Sequence, residues 1–218
     1  MADNLPHMLR ADAQDNRDRV LEAARALFSE RGLDVPMREI ARRAQVGPAT
    51  LYRRFPTKQS LVDEAFTDEL HACSAIVQEG CADPDAWRGL SAILLRVTEL
   101  NARNQGFVDA FTSSYPGAVD FSTHRTSMLR ALAGLCRRAK EAGTLRADFV
   151  LDDLILVLMA GRGLPVTAPE VRVAAARRFA ALALAAFRAP ATETPLPPPP
   201  RLIAAATLPT AAGGTSRR

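Results

Sequence analysis

Aromatic residues are scarce in this sequence, at 6% of 218 residues, and long runs of β-branched residues are missing. These are the residue types that β-strands favour. Alanine and leucine dominate instead, and both are strong helix formers. Hydrophobic residues make up 48% of the chain, which is ample for a core. We therefore predict an all-α protein of one large or two small domains, with about nine helices.

Cysteine is also scarce. Cys73, Cys81 and Cys136 are odd in number and form no CxxC pair. Such residues are typical of reduced, buried thiols in a cytosolic protein, with a redox-sensing role for one of them as the alternative. No signal peptide is visible, and the longest apolar run, 154–161, is far too short to span a bilayer. We expect a cytoplasmic protein without a membrane partner.

Motifs that carry chemistry are missing too. His7, His71 and His124 lie far apart without HxxxH or HExxH spacing, and no GxSxG, Walker or GxGxxG motif occurs. The sequence therefore predicts no catalytic residue, no metal ligand and no cofactor. The alternative from another class is a helical enzyme or small-molecule carrier with an incidental DNA-binding motif. Turnover of a small molecule by the purified protein would reveal that alternative.

The clearest motif of the chain is residues 37–58, which predict two short helices joined by a tight turn. Ile40 and Ala44 lie four residues apart and give the first helix an apolar face. Gly47 and Pro48 are suited to the N-cap and the first position of a second helix. Leu51 would face inward on that second helix. This arrangement is typical of a helix–turn–helix.

Positive charge is concentrated in the same stretch, where six basic residues stand against Glu39 alone. The six are Arg38, Arg42, Arg43, Arg53, Arg54 and Lys58. The net charge of this stretch is therefore +5, whereas that of the whole chain is only +4. A helix–turn–helix with a basic outer face fits the major groove of DNA. The pattern favours DNA binding over the alternative of a solvated helical hairpin.

Residues 17–64 resemble the DNA-binding domain of the TetR family of bacterial transcriptional repressors. The matching residues are Val20 to Ala24, Leu27, Phe28, Arg31, Gly32, Met37 to Ala41, Ala49 to Tyr52, Phe55 and Lys58. Two positions depart from the family pattern: Gln45 stands where the turn usually carries Gly, and Gly47 where the second helix usually has a Ser or Thr cap. Because a positive φ is costly for Gln45, we expect a looser turn in which Gly47 absorbs part of the bend.

The resemblance implies DNA contacts from both helices of the motif. Arg38 matches a position that contacts a base edge, whereas Tyr52 and Lys58 match positions that contact phosphates. Thr50 would face outward, where it can touch a base or a phosphate. The predicted DNA-binding residues are Arg38, Pro48, Ala49, Thr50, Tyr52, Arg53 and Lys58. A double-stranded DNA operator is the expected partner.

Composition predicts four segments along the chain. These are an N-terminal arm (1–11), a helix–turn–helix domain with its linking helix (12–80), a C-terminal helical domain (81–189) and a disordered Pro-rich tail (190–218). The first helix would begin near Asp12, with Asp15 or Asn16 as its cap. Thr57 would cap one linking helix that runs to about residue 79. Later helices are expected near 84–106, 107–113, 122–142, 149–162 and 167–188.

The last two of these helices are apolar nearly all round, so each must be covered on both sides. Within a chain of this size, one subunit cannot cover both. The sequence, and the resemblance, therefore predict an intersubunit four-helix bundle in a homodimer. Its predicted residues are Leu151, Leu154, Ile155, Leu158, Ala175, Phe179, Leu182, Ala183 and Ala186. The alternative is a helix pair buried inside one subunit.

The resemblance further implies a pocket for a small-molecule effector, near the linking helix and the helices that follow it. The candidates are the polar residues of this region and the only tryptophan: Trp87, Asn101, Asn104, Tyr115, His124 and Arg125. We expect a repressor that binds a palindromic operator as a dimer and is released by the effector. The alternative is a regulator that is controlled by a protein partner or is constitutive.

Overall fold

The computed structural model describes residues 5–104, 106, 107, 110, 119–162, 168–189 and 196–198, and side chains within 14–104, 106, 107, 110, 124–161, 168–189 and 196–198. Over these ranges the chain forms nine helices and no strand, which confirms the all-α class. They are α1 (Leu5–Arg31), α2 (Met37–Arg43), α3 (Pro48–Arg54), α4 (Lys58–Ala65), α5 (Thr67–Ala82), α6 (Ala86–Arg103), α7 (Val119–Glu141), α8 (Leu151–Arg162) and α9 (Pro169–Phe187).

Helix α1 begins earlier than predicted. It starts at Leu5, so residues 5–11 belong to a helix and not to an arm, and Asp15 and Asn16 lie inside it and do not cap it. Pro6 is the sequence signal for this start, because a proline in the first turn of a helix breaks no intrahelical hydrogen bond. Near the other end, Leu27 and Phe28 are buried and hold α1 against the helices that follow.

The linking helix is two helices and not one. Its start is as predicted, because Thr57 Oγ1 accepts a hydrogen bond from the Ser60 amide and Ser60 Oγ accepts one from the Thr57 amide, at 3.0 and 3.3 Å. The helix then ends at Ala65, and Phe66 has φ −116° and ψ 17°. The Thr67 hydroxyl donates to the Asp63 carbonyl at 2.7 Å, a bond that favours a bend. The bend leaves the Phe66 ring fully buried.

The C-terminal helices begin near the predicted positions, with three corrections. Helix α7 starts at Val119, ahead of residues 122 and 123, and α8 starts at Leu151, two residues after the predicted position. Helix α9 has Ala168 as its N-cap, without a side-chain hydrogen bond, whereas Thr167, which with Glu170 has the sequence pattern of a capping box, lies outside the described residues. Of the two aspartates that could cap α6, Asp83 and Asp85, it is Asp85 that accepts from the Arg88 amide, at 3.0 Å.

Helices α5 and α6 cross with their backbones in contact at two glycines. A Cβ atom on Gly89 would lie 2.2 Å from the Gly80 carbonyl oxygen, and one on Gly80 would lie 2.4 Å from Cγ1 of Ile93. Neither distance is possible for a real carbon atom, so any other residue would push the helices apart. The C-terminal end of α5 is therefore fixed against α6.

The end of α9 is tied to the loop before α8. The Arg146 amide donates to the Phe187 carbonyl and the Ala189 amide to the Thr144 carbonyl, both at 3.0 Å. The Arg146 guanidinium pairs in two-pronged fashion with Asp148, at 2.5 and 2.8 Å, and this pairing holds the pKa of Asp148 at about 2. Of the predicted tail, residues 196–198 are described, and the Leu196 amide lies 3.5 Å from the Asp148 carboxylate.

In the part of the chain that is described, no helix combines the length and the apolar character needed to cross a membrane. Over the same residues, no three His, Cys, Asp or Glu side chains are grouped as metal ligands would be.

Candidate DNA-binding surface and ligand cavity

The turn between α2 and α3 is built on Gln45, which adopts φ 57° in place of the usual glycine. The Val46 amide donates to the Ala41 carbonyl at 3.0 Å and so closes the turn. A left-handed conformation costs a side-chain-bearing residue about 1–2 kcal/mol. The expectation that Gly47 absorbs part of the bend is wrong, because Gly47 has φ −66° and ψ 143°, which any residue can adopt. Gln45 bears the whole strain.

Helix α3 buries one side and presents the other to solvent. Leu51 is 1% exposed, and Phe55, which follows the helix, is fully buried, so the helix cannot rotate on the core. This fixes the outward positions of the motif. Pro48, Ala49, Tyr52 and Arg53 are exposed on α3, Thr50 is half-buried there, and Arg38 is exposed on α2.

The arginines of this surface differ in their partners. Glu39 pairs with Arg31 and with Arg42, and Arg43 lies 3.6 Å from Glu30. In contrast, neither Arg38 nor Arg53 forms an ion pair or a side-chain hydrogen bond with any described residue. Their guanidinium groups keep all their donors for another molecule. These are the two arginines of the predicted DNA-binding set, and the sequence could not show that they lack ion pairs, since ion pairing depends on the fold.

Glu64 connects the helices that support this surface. Its carboxylate accepts from Arg17 of α1 and lies 3.9 Å from Arg54 of α3, while the residue itself belongs to α4. Arg25 of α1 also donates to the Ala65 carbonyl at 2.6 Å. Helices α1, α3 and α4 are thus joined by polar contacts as well as by their shared core.

Lys58 is the first residue of α4, where free amide groups and the helix dipole favour an anion. The side chain is half-buried, and burial lowers its pKa, an effect that the nearby Asp34 carboxylate opposes. The same burial removes part of the hydration of this ammonium. A phosphate at the helix terminus would replace that lost hydration.

A narrow cavity of about 40 Å³ lies between α5, α6, α7 and α8. Twelve of its thirteen described lining residues are hydrocarbon, aromatic or sulfur-bearing, and the thirteenth is Asn101. The amide oxygen of Asn101 is buried and has no hydrogen-bond partner among the described residues. Burial also raises the pKa of Cys73, in the cavity wall, to about 12, so that thiol is neutral.

Of the six residues predicted for the pocket, Asn101 lines the cavity. Trp87 does not, because its ring packs under the Arg188 guanidinium, 5.5 Å from the ring centroid. Asn104 ends α6, and its carbonyl accepts from the Phe107 amide. His124 is exposed and Arg125 half-buried on α7, and neither belongs to the cavity wall. Tyr115 lies outside the described residues.

The walls that sequence reasoning missed are apolar. They include Val77 of α5, Phe107, Met128 of α7 and Leu158 of α8. The residues predicted for the pocket were mostly polar, whereas the useful signal was the buried face of each helix. Apolar periodicity locates such faces but does not show where two of them fail to fill the space between them.

Two residues predicted for the dimer interface are buried within the single chain. Leu154 and Ile155 are 2% and 4% exposed and line the cavity. This contradicts their assignment to an interface, because they have no surface left for a second subunit. Their neighbours Leu156 and Met159 are 46% and 42% exposed on the same helix.

Helix α9 also exposes apolar side chains. Val171 and Leu182 are 55% and 56% exposed, and Ala186 is exposed as well. The other predicted residues, Leu151, Leu158, Ala175, Phe179 and Ala183, are half-buried. Phe179 packs near Gly161, where α9 meets α8. We call these exposed large apolar residues of α8 and α9, Leu156, Met159, Val171 and Leu182, the apolar face.

Three buried rings connect the cavity with the DNA-binding helices. Phe107 lines the cavity, and its ring centroid lies 6.2 Å from that of Phe66, at the break between α4 and α5. The Phe66 ring lies 6.1 Å from that of Phe28 in α1. These distances are typical of aromatic pairs in contact. Gly106 permits the packing, because a Cβ there would lie 2.9 Å from Phe66 Cζ.

A helix–turn–helix with a basic face, joined to a helical body with a cavity, defines this chain as a DNA-binding regulator. Comparison with known families agrees with this class. Residues 20–65 match the model of bacterial regulatory proteins of the tetR family, and residues 84–189 match the C-terminal domain of SbtR-like transcriptional regulators. The chain therefore belongs to the TetR family of transcriptional regulators, and the resemblance noted in its sequence is confirmed.

Individual relatives agree with the assignment. An HTH-type transcriptional regulator of Staphylococcus aureus (strain USA300) is 43% identical over 54 residues, which span 24% of this chain and 29% of that protein. Among solved structures, PfmR from Thermus thermophilus, a TetR family regulator, has a TM-score of 0.57 at 22% identity, covering 82% of this chain and 97% of its own. FadR from Bacillus subtilis, solved with stearoyl-CoA, has a TM-score of 0.52 at 14% identity, covering 78% and 98%. Both likenesses concern the fold.

Proposed function

We propose that this regulator is a repressor that binds a palindromic operator as a homodimer and releases it when a small molecule enters the cavity. The observation that carries the proposal is the series of ring contacts from Phe107 through Phe66 to Phe28, which joins the cavity wall to the DNA-binding helices. In this proposal a boundary near residue 80 separates a unit that binds DNA from a unit that dimerises and senses the small molecule.

Sequence recognition falls to the two arginines that have no ion-pair partner among the described residues. Arg38 and Arg53 keep the donors that a guanine edge accepts, and a two-pronged arginine–guanine contact contributes about 1–3 kcal/mol of discrimination. Tyr52, Lys58 and Thr50 position the protein on phosphates, which sets the register without specifying bases. One such motif offers few contacts, so specific affinity requires two copies on a two-fold symmetric site.

Dimerisation falls to the apolar face. The exposed side chains of α8 and α9 would meet the same helices of a second copy around a two-fold axis and form a four-helix interface. The apolar face takes the place of Leu154 and Ile155 in the proposed dimer interface. Leu182 and Ala186 of α9 remain interface residues. The half-buried Phe179, Ala175 and Ala183 would then lie at its edge.

Release requires a ligand whose affinity differs between the two conformations of the protein. A ligand larger than the cavity must separate its walls, and Phe107 is one of them. Displacement of Phe107 would press on Phe66, at the joint between α4 and α5, and on Phe28 behind the DNA-binding motif. FadR, a regulator of similar fold that was solved with stearoyl-CoA, supports control by a small molecule in general without indicating the ligand of this chain.

Selection of bound duplexes from random DNA would test operator recognition. The expected product is a palindrome whose half-sites lie about one helical turn apart, or a multiple of it, bound by two copies of the chain. Enrichment of a site without two-fold symmetry, bound by a single copy, would reject the dimeric model.

The ring contacts can be tested with a buried phenylalanine elsewhere as control. Phe66→Leu should keep operator affinity within a few-fold but reduce the effect of a cavity ligand on that affinity, since coupling energies of this kind are about 1–3 kcal/mol. Phe149→Leu changes an equally buried ring that packs on Phe187, away from the series. Equal coupling in the wild type and both variants would show that the rings transmit nothing.

A further inference from the structure

The chemistry of the cavity restricts what can occupy it. No charged side chain is present among its described lining residues, and the Cys73 thiol is neutral. A charged group that entered such a site would lose its hydration without gaining a counter-ion. The occupant must therefore be uncharged where it contacts these walls.

Asn101 sets the one polar requirement among the described walls of the cavity. Its side-chain oxygen is buried and accepts no hydrogen bond from any described residue, although buried polar atoms in proteins nearly always have a partner. The other described lining side chains are apolar or weakly polar sulfur groups, so none of them supplies a strong donor. A donor on the occupant would supply the missing bond.

The size of the cavity adds a third condition. About 40 Å³ suffices for a few water molecules and not for a longer molecule, so a ligand has to widen it. Flexible side chains line it on several sides, among them Met128 and Leu158, and these can change rotamer around a chain of methylene groups.

We propose that the effector is an uncharged, largely hydrocarbon molecule with one O–H or N–H donor, which the side-chain oxygen of Asn101 accepts. This inference rests on the proposed function for its biological meaning, but the chemical preference of the cavity can be measured without DNA. It also explains a buried, unpartnered amide oxygen at this position: the bond that this oxygen lacks is the one that distinguishes the effector from other apolar molecules. A site built around a hydrogen bond discriminates strongly against analogues that cannot form it.

Three probes with straight hydrocarbon chains of seven or eight carbons separate the requirements: 1-octanol, octyl methyl ether and octanoate. Isothermal titration calorimetry on the full chain should give 1-octanol an affinity at least about tenfold higher than that of the ether, which accepts but cannot donate. Octanoate should bind more weakly than 1-octanol because its charge is buried. Equal or tighter binding of the ether or octanoate, or saturable binding of none of the three, would overturn the proposal.

Two asparagine variants assign the preference to one side chain. Asn101→Leu should reduce the difference between 1-octanol and the ether to about twofold or less, because the cavity then lacks the acceptor. Asn104→Leu makes the same change three residues away, outside the cavity wall, and should keep the difference. If both variants behave alike, Asn101 is not the acceptor. The comparison of the three probes on the wild-type chain needs no variant and stands even if one fails to fold.

Operator titrations then separate this inference from the proposed function. If the protein binds 1-octanol more tightly than the ether through Asn101, but 1-octanol leaves operator affinity unchanged, the proposed ligand class stands. The proposed release by a cavity ligand then fails. If another molecule releases the operator while the protein binds 1-octanol no more tightly than the ether, the proposed release stands and the proposed ligand class fails.

Discussion

Leu182 offers the sharpest test of the apolar face, because it is 56% exposed in the single chain and can be changed without disturbing the core. Complete burial of a leucine side chain contributes about 1.5–3 kcal/mol, so covering this exposed half contributes about 1 kcal/mol in each subunit. In Leu182→Glu that gain is lost twice around a two-fold axis, and two carboxylates must also lose water. We expect a total cost of at least about 4 kcal/mol, which corresponds to a roughly thousandfold weaker dimer.

Sedimentation equilibrium over a range of concentrations measures this change directly, and circular dichroism shows whether the monomer stays folded. Ala133→Glu is the matched control, since it adds the same charge at an exposed position of α7, outside the apolar face. Operator binding should weaken in parallel with dimerisation for Leu182→Glu and stay unchanged for Ala133→Glu. A Leu182→Glu protein that dimerises as tightly as the wild type would refute the assignment of the interface.

Four further substitutions test three separate parts of the molecule. Arg38→Ala should weaken operator binding by about 1–3 kcal/mol and relax the preference at one position of each half-site, whereas equal weakening on all sequences would assign Arg38 to phosphate. Lys58→Ala should lower the salt slope of binding by about one phosphate contact for each subunit, and an unchanged slope in fluorescence anisotropy would argue against that contact. Gly89→Ala should destabilise the fold by several kcal/mol in urea unfolding, since its Cβ would overlap the Gly80 carbonyl oxygen. Gly134→Ala, which meets no atom within 4 Å, should instead stabilise α7 by about 0.5–1 kcal/mol, and equal effects of the two changes would show that the crossing is not tight.

The helix–turn–helix was predictable because its signals are local. Pro48 starts α3, Thr57 caps α4 and Leu51 faces the core, and each signal acts within one or two turns of chain. The positive φ of Gln45 was expected from the family resemblance, in which Gly usually stands at this position of the turn. The sequence could not show that Gly47 leaves all the strain to Gln45, since that depends on how the two helices dock.

The break at Phe66 depends on contacts between residues that are distant in sequence. So does the choice of which α8 residues are buried and which are exposed. Phe66 leaves helical geometry beside Phe28 and Phe107, which lie about 40 residues away on either side. On α8, Leu154 and Leu156 are the same residue type two positions apart, yet one is buried and the other exposed. Hydrophobicity alone cannot separate a side chain that faces its own core from one that faces a second subunit.

The tight crossing at Gly80 makes α5 a lever with a fixed pivot. With a rise of about 1.5 Å per residue, Cys73 in the cavity wall lies about 10 Å from the pivot and Phe66 about 21 Å from it. A rotation about the crossing that moves Cys73 outward by about 1 Å therefore moves Phe66 by about 2 Å. In the proposed mechanism, a ligand slightly larger than its site would therefore move Phe66 about twice as far as it moves the cavity wall at Cys73.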